Sequence, residues 1–244
     1  MSVIGAADRL AFPIAVAALL AGCSHTVEPK VEPKVEPTPE PKVEMKMAVD
    51  VLSEPEKATV SYRGKVLGET PQSLKVSTFE DVSSITATSA DLDVIEKRIR
   101  TLSPDQAEVI FRLGKGGISP IAKRLGLTRI LIFEYAEKVC FDSGKADLKP
   151  DALPVLVRQA EILNQYFPKA DVYVCGYTDS TGSDALNDRL SLQRAETVRN
   201  FLVSHNVDAT RLKTQGFGKQ FEVASNATPE GRALNRRTEV ILPE

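Results

Sequence analysis

One basic side chain, that of Arg194, falls on the apolar face of a predicted helix. That face is formed by residues at helical spacing: Leu186, Leu190, Val198 and Leu202. A desolvated guanidinium without a partner costs several kcal/mol, so Arg194 needs either an internal carboxylate or a bound anion. Asp179, in the loop that leads into this helix, is the obvious neighbour. Two interpretations stay open: an internal Asp179–Arg194 salt bridge that fixes the loop, or a ligand site.

Short motifs surround these two residues in the C-terminal half of the chain. They are Gly176-Tyr177-Thr178-Asp179, Gly182, Asn187, Leu190-Ser191, Arg194-Ala195, Val198, Gly216-Phe217-Gly218, Asn226, Glu230-Gly231-Arg232 and Asn235-Arg236-Arg237. In this order and spacing they resemble the OmpA-like peptidoglycan-binding domain, which outer-membrane tethers share with peptidoglycan-associated lipoproteins. The resemblance covers about residues 130–244.

The resemblance implies that Asp179 and Arg194 grip the meso-diaminopimelate of the peptidoglycan stem peptide. That ligand carries an ammonium and a carboxylate on one carbon, which a carboxylate and a guanidinium complement directly. A stem peptide with lysine in its place lacks this carboxylate and would leave Arg194 unpaired. Further peptidoglycan-binding residues are expected around the pair: Asn187, Thr178, Leu190, Asp142 and Arg236.

Other residues of the same motifs have two interpretations. Arg232, Asn235 and Arg237 could contact the ligand or cap the sheet, and capping is favoured for these three.

Asp142 ends the first predicted strand of the domain and matches the Phe-Asp motif of the family, so it should line the rim of the site.

Two cysteines, Cys140 and Cys175, each come one residue before a motif at the end of a strand. We expect these strands to be parallel neighbours. An oxidising periplasm would permit a disulfide, but sequence cannot establish its geometry, and two separate buried thiols are the favoured interpretation.

The sequence predicts a binding protein and not an enzyme, with no cofactor and no metal. Its two histidines are His25 and His205, so a zinc amidase or a Ser-His-Asp hydrolase lacks its parts. An envelope hydrolase is the weaker alternative, and release of soluble muropeptides from cell walls would support it. A net charge of -2, from 31 Lys and Arg against 33 Asp and Glu, gives no general attraction to nucleic acid.

Strands alternate with helices from residue 129 onward. The pattern predicts strands at 130–141, 171–177, 212–217 and 237–242, and helices at 150–167 and 184–205. The expected class is α+β, with a domain at 129–244 that forms a βαβαββ mixed sheet with helices on one face.

Residues 47–115 are predicted to form a small all-β domain. Residues Ser53, Pro55, Ala58, Val60, Gly64, Gly68, Thr70, Pro71 and Leu74 resemble the signature of a PEGA domain. Lys57 departs from it, because that family usually has Gly there. Residues 85–113 suit strands or a helix by their pattern, and the resemblance favours strands. An envelope protein partner is expected here, and the alternative function is a structural adaptor whose main partner binds this domain.

Residues 116–128 are predicted to be a connector with a short helix after Ser119-Pro120. The same pattern could suggest a helix-turn-helix, but export makes DNA a poor partner.

The N-terminus is typical of an exported lipoprotein. Residues 1–22 contain Arg9 and an apolar run too short to span a bilayer, which indicates a signal peptide. Leu20-Ala21-Gly22-Cys23 resembles a bacterial lipobox, which implies a lipid anchor on Cys23. Repeated Val-Glu-Pro-Lys makes 23–46 a disordered Pro-rich linker. The presence of Ser24, where Asp would be a retention signal, indicates the outer membrane. There the protein would face the periplasm and tether the outer membrane to the cell wall.

Overall fold

Two β-sheets organise residues 44–244, which are the residues described by a computed structural model. The strands are β1 Glu44–Glu54, β2 Thr59–Tyr62, β3 Lys65–Glu69, β4 Gln72–Thr78, β5 Ile85–Thr88, β6 Asp93–Ser103, β7 Gln106–Gly114, β8 Ile130–Ala136, β9 Val172–Gly176, β10 Leu212–Gly216 and β11 Arg237–Pro243. The larger sheet has eight strands in the order β10, β9, β11, β8, β6, β7, β1 and β4. The smaller sheet has three antiparallel strands in the order β3, β2 and β5.

Six helices connect these strands. They are α1 Phe79–Ser83, α2 Pro120–Leu125, α3 Glu137–Cys140, α4 Ala152–Gln165, α5 Asp184–Ser204 and α6 Pro229–Asn235, with a 3-10 turn at Ala209–Arg211. The start of α5 is capped by Ser183, whose side chain accepts a hydrogen bond from the amide of Leu186. In α2, Ser119 is the N-cap and Gly126 ends the helix in the left-handed conformation. The short helix predicted after Ser119-Pro120 therefore forms at that place.

Each face of the larger sheet has its own apolar core. Alternate residues of a strand point to opposite faces, and in β8 Leu131 and Phe133 join the core that contains α4 and α5. Ile130 and Ile132 point the other way, into a smaller core shared with α2. The predicted α+β class is confirmed, with α4 and α5 on one face and the connector helix α2 covering the other.

The C-terminal strand β11 lies between β8 and β9 and is antiparallel to both. The expectation that the strands before Cys140 and Cys175 are neighbours was therefore wrong. The first predicted strand, 130–141, ends at Ala136, and Cys140 belongs to α3. Helix α6 was not predicted.

Strands cover most of residues 85–113, as predicted, and no helix forms there within the described chain. Lys57 adopts a left-handed conformation with φ 74°, so the turn that Gly would favour is present with Lys. Its amide donates a hydrogen bond to Oγ1 of Thr70 at 3.1 Å. The resemblance of this region to a PEGA domain stays a prediction.

Strands from both sides of the connector share the larger sheet. β6 pairs in parallel with β8, from Glu96 beside Ile130 to Thr101 beside Tyr135. The sheet is continuous across residues 116–128, and the proposed domain boundaries stay predictions.

The start of β1 corrects the predicted end of the linker. Because β1 begins at Glu44, residues 44–46 belong to a strand and not to the linker predicted at 23–46. The predicted signal peptide, Cys23 and the rest of the linker lie outside the described residues. No helix within residues 44–244 is long and apolar enough to cross a membrane.

Candidate functional site

Four charged side chains meet at one edge of the larger sheet. Since β8 and β9 both run antiparallel to β11, their C-terminal ends lie beside the start of β11. Glu137 follows β8, Asp179 comes after β9 and Arg236 precedes β11. Arg194 reaches the same place from the middle of α5.

These side chains form a line of alternating charge, which we call the charged cluster. Glu137 accepts a hydrogen bond from Nη2 of Arg194 through Oε1. Its other oxygen, Oε2, accepts from Nε of Arg236 at 2.5 Å. Arg236 also donates from Nη1 to Oδ2 of Asp179 at 2.7 Å. The order is Arg194, Glu137, Arg236 and Asp179, and the formal charges sum to zero.

Arg194 is almost completely buried, with 1% of its surface exposed. Its Nε donates to the carbonyl of Lys145 at 2.9 Å, and Nη2 lies 3.5 Å from the carbonyl of Asp142. The guanidinium carbon lies 5.2 Å from the centre of the Phe141 ring. Among residues 44–244, Nη1 has no hydrogen-bond partner. One corner of the guanidinium is thus left for a further acceptor.

The carboxylate that pairs with Arg194 is that of Glu137, and not that of Asp179. Of the two interpretations left open, the internal Asp179–Arg194 salt bridge is not found, since no ion pair joins these two residues in the described part of the chain. Instead, Arg236 forms an ion pair with Asp179, and Glu137 forms one with Arg194. The prediction that Arg194 is buried and needs an internal carboxylate or a bound anion is met by Glu137.

Asp179 is held as an ionised acceptor. Burial opposes ionisation, but hydrogen bonds from Arg236 and from the amide of Thr181 outweigh it, so the pKa of Asp179 lies below its usual value. The Thr181 amide donates to Oδ1 at 2.8 Å. The side chain is 10% exposed, which leaves an edge within reach of a ligand.

Three further residues predicted for the site surround Asp179 or lie on α5. Asn187 is buried and donates from Nδ2 to the carbonyl of Thr181 at 3.0 Å, which fixes the loop before α5. Thr178 is 5% exposed, and its Oγ1 has no hydrogen-bond partner among the described residues. Leu190 is half-buried. Of these, Thr178, the residue that precedes Asp179, carries a buried hydroxyl without a partner in the described chain.

Asp142 lies on the rim and not in the cluster. Its side chain is 60% exposed and pairs with Nζ of Lys145 at 3.3 Å. Only its main-chain carbonyl approaches Arg194. The structure therefore brings Arg236 into the centre of the site and leaves the Asp142 carboxylate outside it.

Three residues of the late motifs hold the segment before β11. Arg232 donates to the carbonyl of Asn226 at 2.9 Å, and Arg237 donates to the carbonyl of Phe221 at 2.9 Å. Asn235 accepts from the amide of Val223 at 2.9 Å. These contacts agree with the capping interpretation.

The buried face of α5 differs from the predicted leucine face. Leu186 is 46% exposed and Leu190 is half-buried, whereas Val198 and Leu202 are buried as expected. The other buried residues of the helix are Asn187, Ser191, Arg194 and Ala195. Three polar residues of α5, Asn187, Ser191 and Arg194, therefore lie on its buried face.

Both cysteines are free thiols in buried positions. Burial raises the pKa of Cys140 to about 12 and also raises that of Cys175. Neutral thiols of this kind are poor nucleophiles, so the cysteines serve as packing groups.

Sequence reasoning missed Glu137, the carboxylate that joins the two arginines. It belongs to the four-residue helix α3, in a stretch that was expected to be strand. A cluster of alternating charge with net charge zero is suited to a ligand that itself carries both charges, because each end finds an opposite partner.

Comparison with known proteins places this site in a family. The family model described as OmpA family matches residues 140–236. Residues 140–236 are an OmpA-family domain. The OmpA-family domain contains Asp179, Arg194 and Arg236, and Glu137 lies just before it.

Three relatives each match less than half of the chain. The probable lipoprotein YiaD of Escherichia coli (strain K12) is 48% identical over 46% of this chain and 51% of its own length. The outer membrane protein Omp38 of Acinetobacter baumannii is 48% identical over 41% of this chain and 28% of its own. The peptidoglycan-binding protein ArfA of Mycobacterium tuberculosis is 43% identical over 43% and 32%. The chain thus spans about half or less of the length of each relative.

Proposed function

We propose that this protein binds peptidoglycan non-covalently through the charged cluster and tethers the outer membrane, or an envelope complex, to the cell wall. The observation that carries the proposal is the meeting of Asp179, Arg194 and Arg236 at one sheet edge inside the OmpA-family domain. The likeness to a protein named as peptidoglycan-binding, ArfA, supports it.

The proposed ligand group is the meso-diaminopimelate of the stem peptide. Its free end carries an ammonium and a carboxylate, which would pair with Asp179 and Arg194. The unused Nη1 of Arg194 would supply a further donor to the ligand carboxylate. Arg236 would add a second guanidinium near the carboxylate of the ligand.

The proposed location is the outer membrane, with the chain held by a lipid on Cys23. The Leu20-Ala21-Gly22-Cys23 motif supports this, as do the printed names of two relatives, a probable lipoprotein and an outer membrane protein. The linker after Cys23 would give the domain the reach to contact the wall.

Co-sedimentation with purified diaminopimelate-type sacculi tests the proposal. The chain from 24 to 244 should pellet with the sacculi, and free meso-diaminopimelate should release it. Asp179→Ala and Arg194→Ala should each weaken binding by roughly thirtyfold or more, because each leaves one charge of the ligand unpaired.

The matched control is Arg189→Ala, which removes an exposed arginine from the same helix. It should bind as the wild type does. If the wild type stays in solution, or if Arg189→Ala weakens binding as much as Arg194→Ala, the charged cluster is not a peptidoglycan site.

A further inference from the structure

Glu137 uses both carboxylate oxygens to hold two arginines of the charged cluster. One oxygen accepts from Arg194 and the other from Arg236 at 2.5 Å. Its own amide donates to the carbonyl of Arg236 at 2.8 Å, which fixes the backbone beside the pair. Because the side chain is only 8% exposed, little water competes for these bonds.

The positions that a ligand with two charges would take are already filled by the protein. The guanidinium of Arg236 lies on Asp179, where an ammonium would bind. The carboxylate of Glu137 lies on Arg194, where the carboxylate of the ligand would bind. Glu137 and Arg236 therefore reproduce, inside the protein, the charge pattern of the ligand.

We propose that Glu137 sets the affinity of the site by competing with the ligand carboxylate for Arg194. This inference rests on the proposed function. Two carboxylates on one guanidinium repel each other, and placing like charges side by side opposes binding strongly when both are shielded from water. The ligand carboxylate must therefore either displace Glu137 from Arg194 or bind Arg194 through Nη1 alone.

The effect should be specific to a ligand that brings its own carboxylate. With Glu137 neutral, Arg194 lacks a charged partner and gains more from an incoming carboxylate. A lysine-type ligand has only the ammonium end, so its binding should not improve.

Calorimetric titration of the chain from 24 to 244 with meso-diaminopimelate tests this inference. Glu137→Gln keeps the shape and one acceptor oxygen but removes the charge, and it should bind roughly tenfold more tightly than the wild type. Titration with Nα-acetyl-L-lysine amide, which has the side-chain ammonium but no carboxylate, should show no such gain. The matched control, Glu196→Gln, removes an exposed carboxylate two residues after Arg194 on α5 and should bind as the wild type does.

A second variant guards against loss of folding, which thermal unfolding of each protein would reveal. Glu137→Asp keeps the charge but withdraws the carboxylate by one methylene, so it should loosen the contact with Arg194 and give a smaller gain in affinity. If Arg194-dependent binding is present but both variants bind no better than the wild type, Glu137 positions Arg194 and the inference is wrong. If no form binds at all, the proposed function fails and the inference with it.

Discussion

The carboxylate of Glu137 separates the guanidinium groups of Arg194 and Arg236 in a place that water hardly reaches. Like charges held close together repel where water does not screen them, so the arginines need the acid between them. Asp179 neutralises the outer side of Arg236 in the same way. Every charge of the site is thus paired before a ligand arrives, and ligand binding becomes an exchange of partners.

A second buried acid, Asp81, allows a prediction about pH. Its Oδ2 accepts from the amides of Ser77 and Thr78, and its Oδ1 accepts from Tyr62 and Arg63. Burial opposes ionisation, but these bonds outweigh it and lower the pKa of Asp81 from 3.8 to about 2. Because the folded pKa lies below the unfolded value, ionised Asp81 stabilises the fold above about pH 4, and this stabilisation is lost as the pH falls towards 2.

Replacing Asp81 should therefore destabilise the protein at neutral pH. Asp81→Asn is expected to lower the free energy of unfolding by about 2 kcal/mol at pH 7, with a smaller difference from the wild type at pH 2. Urea unfolding at both pH values measures this. The control is Asp91→Asn at an exposed position. Equal losses at both pH values would contradict the ionic role of Asp81.

Residue types alone predicted that Arg194 would be buried and paired, because an unpaired guanidinium on the packed face of a helix would be costly. They could not select its partner. Asp179 is close in sequence and Glu137 is 57 residues away, so only the folded sheet edge brings Glu137 to Arg194. Arg236 was expected at the site, but its position between the two acids depends on where β11 begins.

At the scale of single elements, α5 lies unusually close to two strands of the larger sheet. A Cβ atom on Gly176 of β9 would lie 2.0 Å from the carbonyl oxygen of Ser191. One on Gly216 of β10 would lie 2.6 Å from the amide nitrogen of Leu192. Both obstacles are backbone atoms, so the helix itself would have to move.

Gly176→Ala should therefore destabilise the fold by roughly 2 to 3 kcal/mol, because the added methyl group pushes α5 away from β9. It should also weaken peptidoglycan binding, since Arg194 on α5 would shift. The control is Gly117→Ala, where the nearest atom to a new Cβ lies 3.9 Å away. Thermal unfolding and co-sedimentation measure the two effects, and similar stability of the two variants would refute the close-packing explanation.

The same contact explains why the buried face of α5 was misplaced. Apolar spacing predicted Leu186 and Leu190 inside, whereas Asn187 and Ser191 are buried. Where a helix backbone approaches a strand backbone this closely, a small side chain such as Ser191 fits and a leucine does not. The span of the helix was predicted well: the pattern placed it at 184–205, and α5 runs from Asp184 to Ser204.

Across the whole described chain, one sheet joins the N-terminal strands to the OmpA-family domain. Arg98 of β6 is buried and contacts Glu96, Glu134 of β8 and Glu239 of β11, the last at 2.5 Å. Arg100 adds a bond to Glu134 at 2.5 Å. Sequence patterns identified the individual strands but not the parallel pairing of β6 with β8, which depends on residues far apart along the chain.

The charged cluster stands at one edge of that sheet, and a bound ligand should perturb that edge alone. Backbone and arginine Nε NMR signals of the chain from 24 to 244, followed during titration with meso-diaminopimelate, test this most directly. The proposal predicts saturable shifts at Thr178, Asp179 and Arg194, smaller shifts with Nα-acetyl-L-lysine amide, which has no carboxylate, and unchanged signals in β2, β3 and β5. Absence of shifts at the cluster, or larger shifts in the smaller sheet, would contradict the assignment of the cluster as the peptidoglycan site.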